Sequence, residues 1–389
     1  MPSVSRRLLI VALLGPTVAA AQTVPARTLS QAEARLDREW SWVASIRELN
    51  DGRLIVLDTH ENQIILVNTG LTSATQIGRE GRGPGEFENP TALLWLRNDS
   101  TGVLDGSGRS LKIITPRGVP GGIVYPKGGA PCAAPGDTLR RLTIGQTIDA
   151  QGRSYQLGTS VRARPNGTNE STNATAIERW GAGCGRDTVG YIPLKINPDA
   201  QMHPGGTLMV PQGNFQVFFG TPLWTVAPDG RVLIVHPDPY RVEMLDAKGV
   251  HTPGTPIPYQ PIRVSEGHKE AWRKAAQRPS PATKMALFGA RSRRMASMPF
   301  IEPESWPATL PPFLYGALSI GLDGRLWVQR TTAAAAPPTF DVFDPAGRLA
   351  ERIVLPPRSR LVSHGRGVVY IVRLDEDDLE YLERHRIGP

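Results

Sequence analysis

Cysteine, histidine motifs and long apolar runs are all scarce in this chain, and each scarcity removes a class of function. Among 389 residues the only cysteines are Cys132 and Cys184, too few for a four-cysteine zinc site or a multiply bridged scaffold. The seven histidines (His60, His203, His236, His251, His268, His364 and His385) show no His-x-x-x-His or His-Glu-x-x-His spacing, so no local zinc motif is written. A Gly-x-Ser-x-Gly elbow is missing, which leaves a Ser/His/Asp hydrolase unsupported. Gly81-Arg82-Gly83-Pro84-Gly85 lacks the Gly-Lys-Ser/Thr ending and the following helix of a phosphate loop. The acidic run Asp375-Glu376-Asp377-Asp378 lacks the alternating ligand spacing of a Ca2+ loop and reads as a solvated hairpin loop.

No later segment reaches membrane-spanning length, and the one apolar run near the start is too short to span. That run, Leu8 to Leu14, follows Arg6 and Arg7 and precedes Gly15-Pro16 and the small residues Ala19-Ala20-Ala21. The order is that of a secretory signal peptide over residues 1–21, with cleavage after Ala21. The expectation is an exported protein, periplasmic or extracellular, and not membrane-spanning. An oxidising compartment favours a disulfide between Cys132 and Cys184. Closing that loop would contribute about 3–4 kcal/mol in the chain-entropy model; the alternative is a pair of buried thiols.

What the chain has in abundance is glycine (40) and proline (36), a composition suited to many short strands and tight turns. Trp42 to Ile46, Leu54 to Leu57, Gln63 to Val67 and Ala74 to Ile77 read as four strands, parted by Asn50-Asp51-Gly52-Arg53, Asp58 to Asn62 and Asn68-Thr69-Gly70. The unit recurs. Thr101 to Asp105 with Ser110 to Ile114 repeats it 47 residues after Asp58, and Asp149 to Leu157 begins a third copy with a polar insertion, Arg164 to Thr175. Pro228 to Asp246 and Leu322 to Gly347 are the fourth and fifth copies, and His364 to Arg384 is a weaker sixth. The sixth runs out after three strands, so a segment near Arg27 to Ala34 is expected to supply its outer strand and close the ring. The shared Asp-Gly-Arg reads as a turn followed by an arginine whose head group lies in solvent.

Gly78 to Pro90 carries four glycines and two prolines in thirteen residues, with Phe87 as its only large apolar side chain. It resembles the inter-blade connector of NHL-type six-bladed β-propellers, a Gly-rich turn ending in Gly-x-Phe-x-x-Pro. Asp58-Thr59-x-x-Asn62-x-x-Ile65 resembles the strand–turn–strand motif of the same family. The resemblance implies an all-β fold: one six-bladed β-propeller over residues 22–389, with a short helical insertion (262–312) between blades 4 and 5. A closed ring of this kind is expected to be a monomer.

The insertion breaks the strand pattern. Ser265 to Arg278 is rich in helix formers behind a capping serine, and Ala282 to Met295 continues beyond Pro279-Ser280-Pro281 as a second helix. From Ser265 to Met295 eight Lys/Arg oppose Glu266 and Glu270, an excess of +6. The whole chain carries +8, of which Arg6 and Arg7 belong to the signal, so the basicity of the exported chain sits in the insertion. A localised positive field recruits anionic partners. Arg273, Lys274, Arg291, Arg293 and Arg294 are the candidate ligand-binding residues, for an anionic glycan, a lipid head group or an acidic protein surface. Export argues against nucleic acid. No catalytic residue stands out, and no cofactor is expected from the residues themselves.

NHL-like propellers include a metal-dependent amidating lyase, so the resemblance leaves room for Ca2+ or Zn2+. His60 and His236 fall at near-equivalent places in blades 1 and 4 and are the metal candidates. The expected function is recognition of a ligand at the mouth of the central channel. The alternative is a metal-dependent lyase or lactone hydrolase using the same mouth.

Overall fold

The computed structural model describes residues 24–29, 31–106, 110–124, 147–158, 161–163, 169–171, 174–180, 185–193, 201–202, 208–209, 217–277 and 302–387. Within these, short β-branched runs and Gly-containing turns fold into six antiparallel sheets, each ordered from the inside outward as the chain runs. Blade 1 is Val43–Glu48, Leu54–Asp58, Gln63–Val67 and Ala74–Gln76, and blade 2 is Ala92–Trp95, Thr101–Asp105, Ser110–Ile114 and Pro120–Val124. Blade 3 is Thr147–Ile148, Ser154–Leu157, Ala174–Trp180 and Arg186–Pro193, and blade 4 is Leu223–Val226, Val232–Pro237, Tyr240–Leu245 and His251–Thr252. Blade 5 comprises Leu318–Ile320, Leu326–Gln329, Thr339–Phe343 and Leu349–Val354; blade 6 begins with Ser359–His364, Val368–Leu374 and Glu380–Arg386. The six sheets form a six-bladed β-propeller.

Closure differs from the sequence expectation by a few residues and by one extra strand. The outer strand of blade 6 is Ala34–Trp40, antiparallel to Glu380–Arg386, and not the segment from Arg27 to Ala34. Ala26–Thr28 instead joins blade 5 as a fifth strand, parallel to Leu349–Val354. In blade 3 the third strand begins at Ala174, inside the stretch expected to be a polar insertion, and Val161–Ala163 pairs with Asn169–Ser171 in a separate hairpin. Of the insertion between blades 4 and 5, one helix is described, α1 (Glu266–Gln277). The expected second helix, like Cys132, Cys184, Arg291, Arg293 and Arg294, lies outside the described residues.

Each blade is covered on both faces by its neighbours, which is why the second strands are apolar at successive positions. Leu54 to Leu57, Val232 to Val235 and Leu326 to Val328 are all at most 1% exposed. The cores lie between blades: Leu49, Ile55, Leu57, Ile64, Ile77, Phe87, Val103 and Ile114 fill the junction of blades 1 and 2.

The Asp-Gly-Arg turns do more than reverse the chain. Asp229 takes the Arg231 amide at 3.1 Å and the Arg231 Nε at 2.6 Å, and Asp51/Arg53 and Asp323/Arg325 repeat the geometry. Gly52, Gly230 and Gly324 sit at φ of +85, +90 and +76°, a region that L side chains avoid. The arginine heads are not free in solvent, as the sequence suggested. Arg53 donates to the Pro116 carbonyl at 2.7 Å and Arg231 to that of Pro345, both in turns of the next blade. Other arginines supply the same link elsewhere: Arg97 to Gln151 O (2.6 Å), Arg179 to Ala247 O (2.6 Å), Arg27 to Ile387 O (3.0 Å) and Arg384 to Thr69 O (2.6 Å). Every junction of the ring thus has an arginine–carbonyl bond across it.

The Gly78–Pro90 connector is held from below. Asp105 accepts the amides of Glu88 (3.1 Å) and Asn89 (2.7 Å), and the buried Lys112 bridges Asp105 at 2.6 Å and donates to the Glu86 carbonyl. Gly78 has φ +70°, and a Cβ there would run into the Gly85 carbonyl and the Phe87 ring. Phe87 is 2% exposed between blades 1 and 2. Phe87→Ala is expected to cost about 3–5 kcal/mol of unfolding free energy in urea titrations; a loss below about 1 kcal/mol would show a loop tethered only at the surface.

Candidate functional site

Antiparallel order puts the turns after the first and third strands of every blade on one face of the ring. The loops after the second strands and the connectors between blades lie on the other. The connector that runs from blade 4 to blade 5 carries α1, so the helix belongs to the second face, with the loop 330–338 of blade 5 and the loop 375–379 of blade 6.

Its sequence explains why a helix forms there. Ser265 precedes a run of good helix formers, Glu266 lies in the first turn and Lys274 in the last, which suits the helix dipole. His268 closes a capping box of unusual composition: its Nδ1 accepts the Ser265 amide at 3.0 Å and lies 2.9 Å from the Ser265 hydroxyl. The opposite nitrogen, Nε2, is 2.9 Å from the Thr332 carbonyl of blade 5. An acceptor at Nδ1 and a carbonyl facing Nε2 place the single proton of a neutral ring on Nε2. One side chain therefore starts the helix and pins it to the next blade. At the far end Lys274 reaches Asp378 of blade 6 at 3.0 Å.

The candidate cations on α1 are all paired. Arg273 meets Glu302 at 2.6 Å, Glu266 at 2.7 Å and Glu270 at 3.4 Å, and these bonds, that with Glu302 first, raise its pKa. Lys269 meets Glu266 at 3.2 Å. The charge excess counted along the sequence is therefore balanced on the described part of the insertion, where Glu302 and Asp378, distant in sequence, supply the partners.

Two cavities share Phe218 and Leu310 in their walls, and the smaller of them is bordered by the helix. The larger, about 780 Å³, lies against blade 4 and the connector that leaves it and is walled by Phe218, Phe219, Tyr240, Tyr259, Trp306 and several prolines, with Asp238 and Glu304 as its carboxylates. Trp306 stacks at 5.7 Å from Phe218 and takes Trp272 of α1 edge-on at 5.3 Å. The Tyr259 hydroxyl lies 2.9 and 3.0 Å from the carbonyls of Leu310 and Pro311 and 3.2 Å from the Thr331 hydroxyl, which ties the floor together. Tyr240 donates to the fully buried Asp341 at 3.0 Å, and burial, then that carboxylate, push its pKa well up. The smaller cavity, about 480 Å³, runs between α1 and the segments 314–317 and 329–336 of blade 5.

The metal candidates do not converge. His60 stacks on Trp42 at 6.0 Å in blade 1. His236 of blade 4 lies 2.8 Å from Glu243, whose other oxygen meets His251 at 2.9 Å, and burial lowers the His236 pKa. Among the described residues no group of three or more His, Cys, Asp or Glu stands in metal-holding geometry. None of the described helices is long and apolar enough to cross a membrane. The residues of the cleft were invisible to motif reading because they come from six separated stretches, 217–220, 237–240, 257–261, 268–275, 304–317 and 329–336. The only signal was aromatic residues such as Trp306 set among prolines.

On the opposite face, His364 ends the inner strand of blade 6 beside a third cavity of about 310 Å³. Its Nε2 is 3.0 Å from the Ser319 hydroxyl, its ring meets Trp327 edge-on at 5.1 Å, and its Nδ1 has no partner among the described residues.

No family model matches the chain, and no curated protein does. Among solved structures, a Bacteroides fragilis protein assigned as exported shares 11% identity at a TM-score of 0.46, over 94% of this chain and 99% of that one. A streptogramin B lyase gives 11% and 0.38 over 91% and 86%, and a gluconolactonase from Xanthomonas campestris 10% and 0.39 over 93% and 97%. A calcium-binding regucalcin from Agrobacterium tumefaciens gives 9% and 0.39 over 93% and 96%. At these identities the activities of those proteins stay with them.

Burial lowers the His364 pKa from its ordinary value of 6.5 to about 4. A depressed value means that the folded protein holds the ring neutral while the unfolded chain takes a proton below pH 6.5. Stability is thus fully present above pH 6.5 and is lost as the pH falls towards 4, by about 3 kcal/mol from this residue. Unfolding free energies of wild type and His364→Asn, compared at pH 7 and pH 4, should show a smaller acid loss in the variant. Equal losses would contradict the assignment.

Proposed function

We propose that this protein is an exported binding module that takes its ligand on the face carrying α1, in the cleft beneath that helix. One observation carries the reading: two cavities, of about 780 and 480 Å³, share Phe218 and Leu310 in their walls, and a helix fastened at both ends borders the smaller. Ligand pockets fall in the range of roughly 300–1,000 Å³, walled by apolar and aromatic groups with a few placed polar ones. The aromatic walls suit a ring or an apolar body. The cations of the insertion favour an anionic partner: a glycan, a lipid head group or an acidic protein surface. Export rests on the tripartite pattern of residues 1–21.

In this reading Arg273 and Lys274 act through the positions they give to α1, and Arg291, Arg293 and Arg294 supply the unbalanced charge. The catalytic alternative, a lyase or lactone hydrolase using Ca2+ or Zn2+, needs converging ligands, and His60 and His236 stand in blades 1 and 4.

Titration with a sulfated oligosaccharide and with neutral maltohexaose tests the reading. The anionic probe should bind more tightly, with an affinity that falls as salt rises, and Trp306→Ala should weaken it at least tenfold. Replacing Arg291, Arg293 and Arg294 by Ala should flatten the salt dependence. Unchanged affinity in the triple variant removes the electrostatic part, and unchanged affinity in Trp306→Ala removes the cleft. One Ca2+ or Zn2+ per chain in elemental analysis of the purified protein would instead favour the catalytic alternative.

A further inference from the structure

The smaller cavity is lined by a guanidinium, that of Arg330, whose carboxylate partner is shared with a second arginine. Asp341 is fully buried, and its carboxylate accepts Arg352 Nε at 2.9 Å and the Tyr240 hydroxyl at 3.0 Å. Arg330 also faces it, but Nε stands 3.6 Å from the nearer oxygen, beyond hydrogen-bond range. Two guanidinium groups therefore share one carboxylate, and Arg330 is the more distant.

Its side chain is only 16% exposed and makes no hydrogen bond to any described residue, although it lies 5.7 Å from the centre of the Tyr259 ring. A guanidinium carries five N–H donors and no acceptor, so the single 3.6 Å ion pair with Asp341 leaves donors of Arg330 open to a further acceptor. Arg330 lines the 480 Å³ cavity, and no Asp or Glu does. The histidine there, His268, spends both nitrogens on Ser265 and Thr332. Much of the remaining wall is apolar: Ala271 and Trp272 of α1 on one side, Leu310, Leu314 and Ala317 on the other.

A planar fork of donors at the edge of an apolar cavity is complementary to a carboxylate joined to an apolar body. We propose that Arg330 anchors the carboxylate of a small amphiphilic acid, of the medium-chain fatty acid kind, whose tail lies along α1. The inference rests on the cleft being a binding site and adds to that reading both the anchor and the chemistry of the ligand. It also moves the anion-binding group from the exposed insertion to blade 5.

Calorimetric titration of the full chain with decanoate and with decanamide, both below their aggregation limits, tests it. Decanoate should bind at least tenfold more tightly than decanamide. Arg330→Gln should reduce decanoate to the affinity of decanamide and leave decanamide unchanged. Asp341 keeps Arg352 and Tyr240 in that variant, so its thermal melt should stay two-state. Ala275→Phe, which fills the cavity from α1, should weaken both probes.

Equal affinities in the wild type, or a preference for decanoate that survives Arg330→Gln, would overturn the anchor. If both probes are nevertheless lost in Ala275→Phe, the cleft stands without it. Binding of neither probe to the wild type also overturns the anchor, and the cleft is then judged by the Trp306→Ala titration.

Discussion

Everything in this molecule depends on the contact between its first long strand and its last. Blade 6 has three strands of its own, and Ala34–Trp40 completes it by pairing with Glu380–Arg386. Leu36 and Trp40, each 3% exposed, then join Val43, Leu54, Tyr370 and Leu382 in one core that spans blades 6 and 1. Burying such side chains contributes about 1.5–3 kcal/mol each, and closure also removes the open sheet edge of blade 6. A ring whose blades cover one another's faces cannot lose this contact without exposing two cores.

The same constraint explains the polar chemistry. Bringing six blades together sets turn carbonyls of one blade beside the next at each junction, and arginine is the residue that reaches them. Arg53, Arg97, Arg179, Arg231, Arg27 and Arg384 each donate to a backbone carbonyl of the following blade. Tyrosines add carboxylate contacts at two junctions: Tyr370 to Glu48 at 2.9 Å and Tyr240 to Asp341 at 3.0 Å. Part of the basic composition of the chain is thus engaged in holding the ring. Positive charge by itself does not mark the site, and Arg330 stands apart because its carboxylate is already taken.

Much of the ring was legible in the sequence, and for a physical reason. A turn that needs a glycine at positive φ and a carboxylate cap admits few residues, so Asp-Gly-Arg recurs at the first turns of blades 1, 4 and 5. Continuous apolar runs mark second strands because both of their faces are covered. Phe87 could be placed because it is the lone large apolar residue in a loop of glycines. Outer strands were harder. Ala34–Trp40 fully buries only Leu36 and Trp40 of its seven residues, so its pattern is faint and the closing strand was expected a few residues too early. The third strand of blade 3 was expected over Ala176 to Trp180 and begins two residues earlier, at Ala174, in the polar stretch before it. The cleft was not legible at all: Arg330 looks like any charged residue after a strand, and its surplus charge emerges only when Arg352 and Tyr240 arrive at Asp341.

The central claim is that the helix-roofed cleft on blades 4 and 5, and not the channel axis or the exposed insertion, takes the ligand. A crystal structure of the protein with decanoate tests it most directly. The account predicts the carboxylate within hydrogen-bond distance of the Arg330 guanidinium and the chain between α1 and the 329–336 segment. Decanoate seated on the channel axis or on the outer rim, with Arg330 still facing only Asp341, would contradict it.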